Sequence, residues 1–328
     1  MSDDRRAQLN AVKLRALVSD HTGTDAPPTN GFAPGAALVD DGVAWVLLDE
    51  QPERRLGAAL AWALRAGADS LHVIAESGTG VLARRAAEFE YPITVWHAAG
   101  RTLLPAVAEP FADPPPLPAH HDDFRPLIVA GGATPLVEGG VLVGEVAGLE
   151  VCRVVDDPHL VSTRLEVGVG AHDREAFQML HGDVPPAESL ARIAATVAEH
   201  RRVGAPQHPL NRLGAERFLR WRIEQEPARV SAAELAPAEP PVPRPNLKDP
   251  VPCVAIGRGD DGSPLVVVCS TGVELDLIPY AADARRARST TGVGIGQLKV
   301  VTPARDRLPV IEEIAGLLRH SVELVSID

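Results

Sequence analysis

Lysine is nearly missing from this chain: only Lys13, Lys248 and Lys299 occur, and the other 29 basic residues are arginines. Together with the abundance of proline this is the coding bias of a GC-rich genome, an expectation of bacterial origin that carries no chemistry. Aromatic residues make up only 4% of the chain, so the core must be built mainly from Ala, Val and Leu. Cys152, Cys253 and Cys269 are odd in number, far apart in sequence and set in apolar segments without a Cys-x-x-Cys pair, which excludes a disulfide scaffold and reads as small core residues. There is no run of 18 apolar residues and no signal-peptide-like stretch after the polar Met1-Ser2-Asp3-Asp4 start, so a cytoplasmic protein with no membrane partner is expected. No Gly-x-Ser-x-Gly elbow, His-Glu-x-x-His pair or Cys-His couple is present, which disfavours hydrolase triads and zinc proteases.

What is present is a chain of 328 residues, long enough for several domains, with 45% apolar and 23% charged residues, the proportions of a folded globular protein. Its net charge of -12 opposes indiscriminate coating of nucleic acid but leaves room for a local basic surface. Two proline-rich stretches, Asp113 to Pro118 and Pro237 to Pro252, divide it into segments of 1–112, 119–235 and 251–328.

The expected fold class is α/β, with two β-α-β-α-β units flanking a central α+β domain. In the first segment a helix near Arg5 to Val18 precedes strands at 45–48, 71–74 and 93–96, separated by helices at 53–66 and 81–89; short connections imply parallel strands. The third segment repeats the order, with strands at 265–269, 298–301 and 322–325 and helices at 281–288 and 308–318. In the central segment, strands at 141–146, 149–155 and 165–169 read as an antiparallel meander after a short helical stretch at 124–129. Asp173 is a suitable N-cap for a helix to Leu180, and further helices follow at 185–202 and 210–226.

The meander carries Glu145, Glu150, Asp156 and Glu166, which are either a solvent-facing acidic surface or ligands for a hard cation. Alternation along a strand puts Glu166 on the face of Gly168, and a turn at Ala147-Gly148 could bring Glu145 and Glu150 to one side. A helix, a meander with an acid on its second strand and Glu-x-Lys on its third, then a helix resembles the core of the PD-(D/E)XK nuclease superfamily. The resemblance covers about 60 residues, from Gly144-Glu145 through Glu150 and Glu166-Val167-Gly168 to the helix after Asp173. It implies Glu150 and Glu166 as metal ligands and catalytic acids, with magnesium as the cofactor. Gly168 stands where the lysine belongs, and Arg174 on the next helix is the basic group that could replace it.

Other candidates have chemical precedents. Eight arginines lie between Arg192 and Arg229, and Arg217, Arg220 and Trp221 fall within little more than one helical turn, a set that could grip phosphate and stack a base. Interleaved Glu199, Glu216, Glu224 and Glu226 equally suit a salt-bridged helix surface or a protein interface. The junctions at Glu76 to Gly80 and Gly168 to Gly170 place glycine loops before helices, where anions can sit, but lack the spacing of a dinucleotide or P-loop motif. Gly292 to Gly296 precedes a strand and reads as a loop, as does His120-His121-Asp122-Asp123, because adjacent residues rarely converge on one ion. Asp276 and Asp283 follow a strand end, where open α/β sheets place ligands.

The sequence therefore leads to a non-catalytic or weakly catalytic nuclease-like protein that binds nucleic acid or a protein partner. The competing readings are a structural scaffold, possible as a homo-oligomer, and a small-molecule enzyme using Asp276 and Asp283.

Overall fold

The protein is described here as a computed structural model covering residues 3–27, 31–157, 162–170, 173–175, 184–206, 208–242, 251–289 and 296–328. It is an α/β protein with two compact units, Met1–Phe111 with Gly272–Asp328, and Ala112–Thr271. No helix among the described residues is long and apolar enough to cross a membrane.

The first unit opens with helix α1 (Asp3–Thr22), followed by β1 (Gly35–Asp40) and β2 (Val43–Leu48), which pair antiparallel. Asp41 and Gly42 join them with φ of 47° and 77°, the positive pair that an Asp-Gly hairpin turn supplies. Helix α2 (Leu56–Arg65) then carries the chain to β3 (Ser70–Ala75), and α3 (Thr79–Ala86) to β4 (Ile93–Ala99). β2, β3 and β4 are parallel neighbours, as the short connections predict, and β5 (Thr102–Pro105) adds an antiparallel edge. Leu14, Leu17 and Val18 of α1 close one face of this sheet over Leu38, Trp45, Leu47 and Ile74. Each such side chain contributes about 1.5–3 kcal/mol when removed from water.

In the second unit, α4 (Ala119–Asp122) and α5 (Arg125–Ala130) lead into four antiparallel strands: β6 (Thr134–Glu138), β7 (Val141–Val146), β8 (Leu149–Asp157) and β9 (Ser162–Val167). The expected meander is thus present with one strand more. Residues 173–175 are helical, and the rest of the helix expected to Leu180 lies outside the described residues. Helix α6 (Pro186–His200) lays Leu190, Ala194 and Val197 on a core containing Ile128, Leu142, Val151, Val154 and Leu165. Helix α7 (Ala215–Gln225) packs on β10 (Ala232–Ala238), β11 (Cys253–Gly259) and β12 (Pro264–Cys269). These strands are antiparallel, and Cys253 and Cys269 lie directly opposite each other. The three cysteines are buried and form no disulfide; burial pushes the Cys152 thiol up to about 12.

The chain ends with α8 (Leu277–Ser289), β13 (Gln297–Pro303), α9 (Pro309–Ala315) and β14 (Glu323–Ile327), with β13 and β14 parallel. Helix α8 packs on α2, α3 and α9, so this stretch belongs to the first unit. β10 runs into the second proline stretch as far as Ala238, and the third segment shows its expected order of β12, α8, β13, α9 and β14. Proline marks where ladder hydrogen bonding stops, but it carries no information about which pieces pack together.

Candidate functional site

Glu145 and Glu150 are cross-strand partners on β7 and β8, brought together by the turn at Ala147-Gly148. The pairing passes from Gly144–Cys152 to Glu145–Glu150, which leaves Val151 as an extra residue in β8. Such a bulge breaks the two-residue alternation and re-aims side chains. Glu150 and Arg153, three apart, consequently meet: Arg153 donates from Nε and Nη2 to the two carboxylate oxygens of Glu150 at 2.7 and 3.1 Å. Arg153 is also the cross-strand partner of Glu166 on β9.

The two acids expected to hold a metal do share one site, and a guanidinium occupies it. Arg174 donates from Nη1 to Glu150 Oε1 at 3.0 Å, and its Nε lies 3.7 Å from Glu166 Oε2. Arg164 donates to Glu166 Oε1 at 2.9 Å and pairs with Asp157. Glu150 is 3% exposed and Arg174 is buried beside it. Arg153, Arg164 and Arg174 thus supply fixed positive charge where a divalent ion would have to sit, and charge-assisted hydrogen bonds of this kind are about twice as strong as neutral ones.

The residue in the lysine position has a steric reason to be glycine. Gly168 has φ of +143°, and a Cβ there would lie 2.8 Å from the backbone nitrogen of Arg174. The strand-to-helix junction is pinned further by Asp173, whose carboxylate accepts from Val169 N at 2.7 Å. The expected N-cap aspartate therefore ties the loop that precedes it, and the backbone that abuts Gly168 leaves no space for a lysine.

Arg217 and Arg220, expected on a nucleic-acid surface, are buried within the second unit. Arg217 Nη1 and Arg220 Nη2 each lie 2.5 Å from the carboxylate of Glu145; Arg217 also pairs with Glu138, and Arg220 Nε lies 2.9 Å from Glu224. Burial opposes the charge on Glu145, but Arg220 and Arg217 outweigh it and hold the carboxyl below the usual range. The 3.6-residue helical period that groups these arginines also points them inward toward β7. Trp221 is half-buried, with its indole stacked on Phe218 at 5.8 Å. Arg201, 1% exposed, is a buried clamp that donates to the carbonyls of Ala147, Leu210, Leu213 and Gly214 at 2.7–3.1 Å.

In the first unit, Asp276 and Asp283 are interior as well. Asp283 is 0% exposed; Arg84 donates to both its oxygens at 2.8 and 3.1 Å, and Arg85 to one at 3.2 Å. Arg85 also reaches Asp276 at 2.5 Å, and Gly57 N donates to the other Asp276 oxygen at 2.9 Å. This ties α3 and α2 to α8 and leaves no open carboxylate for a substrate. At the glycine junction of α3, Glu53 and Glu109 pack over Gly78 and Gly80, placing carboxylates where an incoming anion would approach. Of the Gly292 to Gly296 loop, residues 292–295 lie outside the described residues.

Sequence reasoning missed two features. Arg153 as a partner of Glu150 was hidden by the bulge, which no local residue pattern announces, whereas Arg164 lies two residues before Glu166 on β9 and shares its face by strand alternation. The second is on α4, where the adjacent His120 and His121 both turn toward Asp156 of β8, with Nε2 atoms 2.9 and 3.0 Å from Asp156 Oδ1. Comparison of the chain with protein-family models, with curated proteins and with solved structures finds no match.

Proposed function

We propose that this chain is a non-catalytic α/β binding protein, in which a nuclease-like meander serves as a scaffold for a protein partner. The observation that carries this reading is the placement of Arg174 between Glu150 and Glu166. In a metal-dependent nuclease those carboxylates must be free to take a divalent ion that activates water and neutralises the phosphate. Here their oxygens accept from arginines, and Gly168 offers no general base or charge. A protein partner is favoured over nucleic acid because Arg217 and Arg220 are spent on Glu145 inside the unit and the chain carries a net charge of -12.

The test combines two readouts on the full-length protein. Fluorescence anisotropy with labelled single-stranded DNA, double-stranded DNA and RNA at low salt should give no salt-sensitive binding. Gel assays of the same probes with magnesium or manganese should give no cleavage. Metal-dependent cleavage that disappears in Glu166→Gln would overturn the reading, and so would tight, salt-sensitive binding weakened by Trp221→Ala.

A further inference from the structure

The only group of three or more metal-ligating side chains found together among the described residues is His120, His121 and Asp156, whose candidate ligand atoms all lie within 4.8 Å of one another. Two imidazoles and a carboxylate form the ligand set of borderline divalent transition metals, zinc above all, and three protein ligands leave a position for water. Adjacent histidines usually diverge, but here the short helix α4 holds the two rings 4.6 Å apart at 83°, both toward the same Asp156 oxygen. The two histidine-to-aspartate separations, 2.9 and 3.0 Å, are what bonds of about 2.0–2.2 Å to one ion would span.

A second observation points the same way. His121 is 6% exposed, yet neither ring nitrogen makes a hydrogen bond among the described residues, although Nε2 lies 3.0 Å from Asp156 Oδ1. Leaving a buried polar group unsatisfied is costly, whereas a lone pair directed at a cation is satisfied. Thr163 donates to Asp156 Oδ1 at 2.7 Å, the outer-shell hydrogen bond that orients a ligating carboxylate.

We propose that His120, His121 and Asp156 form a zinc-class divalent metal site at the junction of α4 and β8. It is separate from Glu150 and Glu166, which are held by arginines, and it does not depend on the proposed function. Asp156 lies 36 residues after His120, so an occupied site would staple the start of the second unit to its sheet.

The experiment is isothermal titration of chelator-treated full-length protein with zinc chloride, supported by the visible spectrum after loading with cobalt(II). The proposal expects one saturable equivalent whose affinity falls more than about tenfold in His120→Ala and in Asp156→Asn, since even an outer-shell partner is worth that much. Both side chains are exposed, so these variants keep the fold, which circular dichroism would check. His208→Ala should bind as the wild type does, excluding the stacked His200–His208 pair as the source. Absence of saturable binding, or equal affinity in His120→Ala, Asp156→Asn and wild type, would overturn the proposal.

Discussion

His72 shows how one side chain sets a pH limit. It lies among Trp45, Trp96 and His21, and its Nδ1 accepts from Trp96 Nε1 at 3.1 Å, which requires the neutral ring. Burial, reinforced by His21, lowers its pKa to about 4 from an ordinary 6.5. The folded state therefore takes up a proton less readily than the unfolded chain. The stabilisation is present above pH 6.5 and is lost as pH falls toward 4. Because the ring is only about half-buried, solvent screening limits the effect to roughly 1 kcal/mol. Thermal melts of wild type and His72→Phe between pH 7 and pH 4 should converge at the acid end, and a constant gap across the range would show that the proton plays no part.

At the scale of elements, arginine–carboxylate pairs join pieces that are distant in sequence. Arg84 and Arg85 on α3 hold Asp283 on α8, and Arg217 and Arg220 on α7 hold Glu145 on β7. Removing one partner of a buried pair leaves an uncompensated charge and costs about 3–5 kcal/mol. Asp283→Ala should therefore lower the melting transition of the first unit by on the order of 10 °C, whereas Asp113→Ala, in the exposed proline stretch, should leave it unchanged. Calorimetry reads both. An unchanged melt for Asp283→Ala would mean that α8 is held by its apolar contacts alone.

At the scale of the molecule, the α/β class and most helices and parallel strands were legible because apolar periodicity reports them directly. β2, β3 and β4, with α2 and α3 between them, fall within a few residues of their expected positions. The hairpin strand β1 was missed although Asp41-Gly42 announces it, and β11 was missed because it lies just beyond a proline run. The grouping of first and last segments into one unit was not legible, since it joins helices whose buried charge pairs are nearly 200 residues apart. In the candidate site, Glu150, Glu166 and Arg174 could be picked out as a set, but not the Val151 bulge that adds Arg153, nor the inward face of Arg217 and Arg220. The chain thus spends its arginines on internal ion pairs, and the meander acids belong to that pattern.

Equilibrium unfolding of Glu150→Ala against wild type, without added metal, tests this most directly. Catalytic acids commonly store repulsion, so removing one raises stability. An acid held by Arg153 and Arg174 does the reverse. The account predicts a loss of about 3–5 kcal/mol; stability equal to or above that of wild type would contradict it.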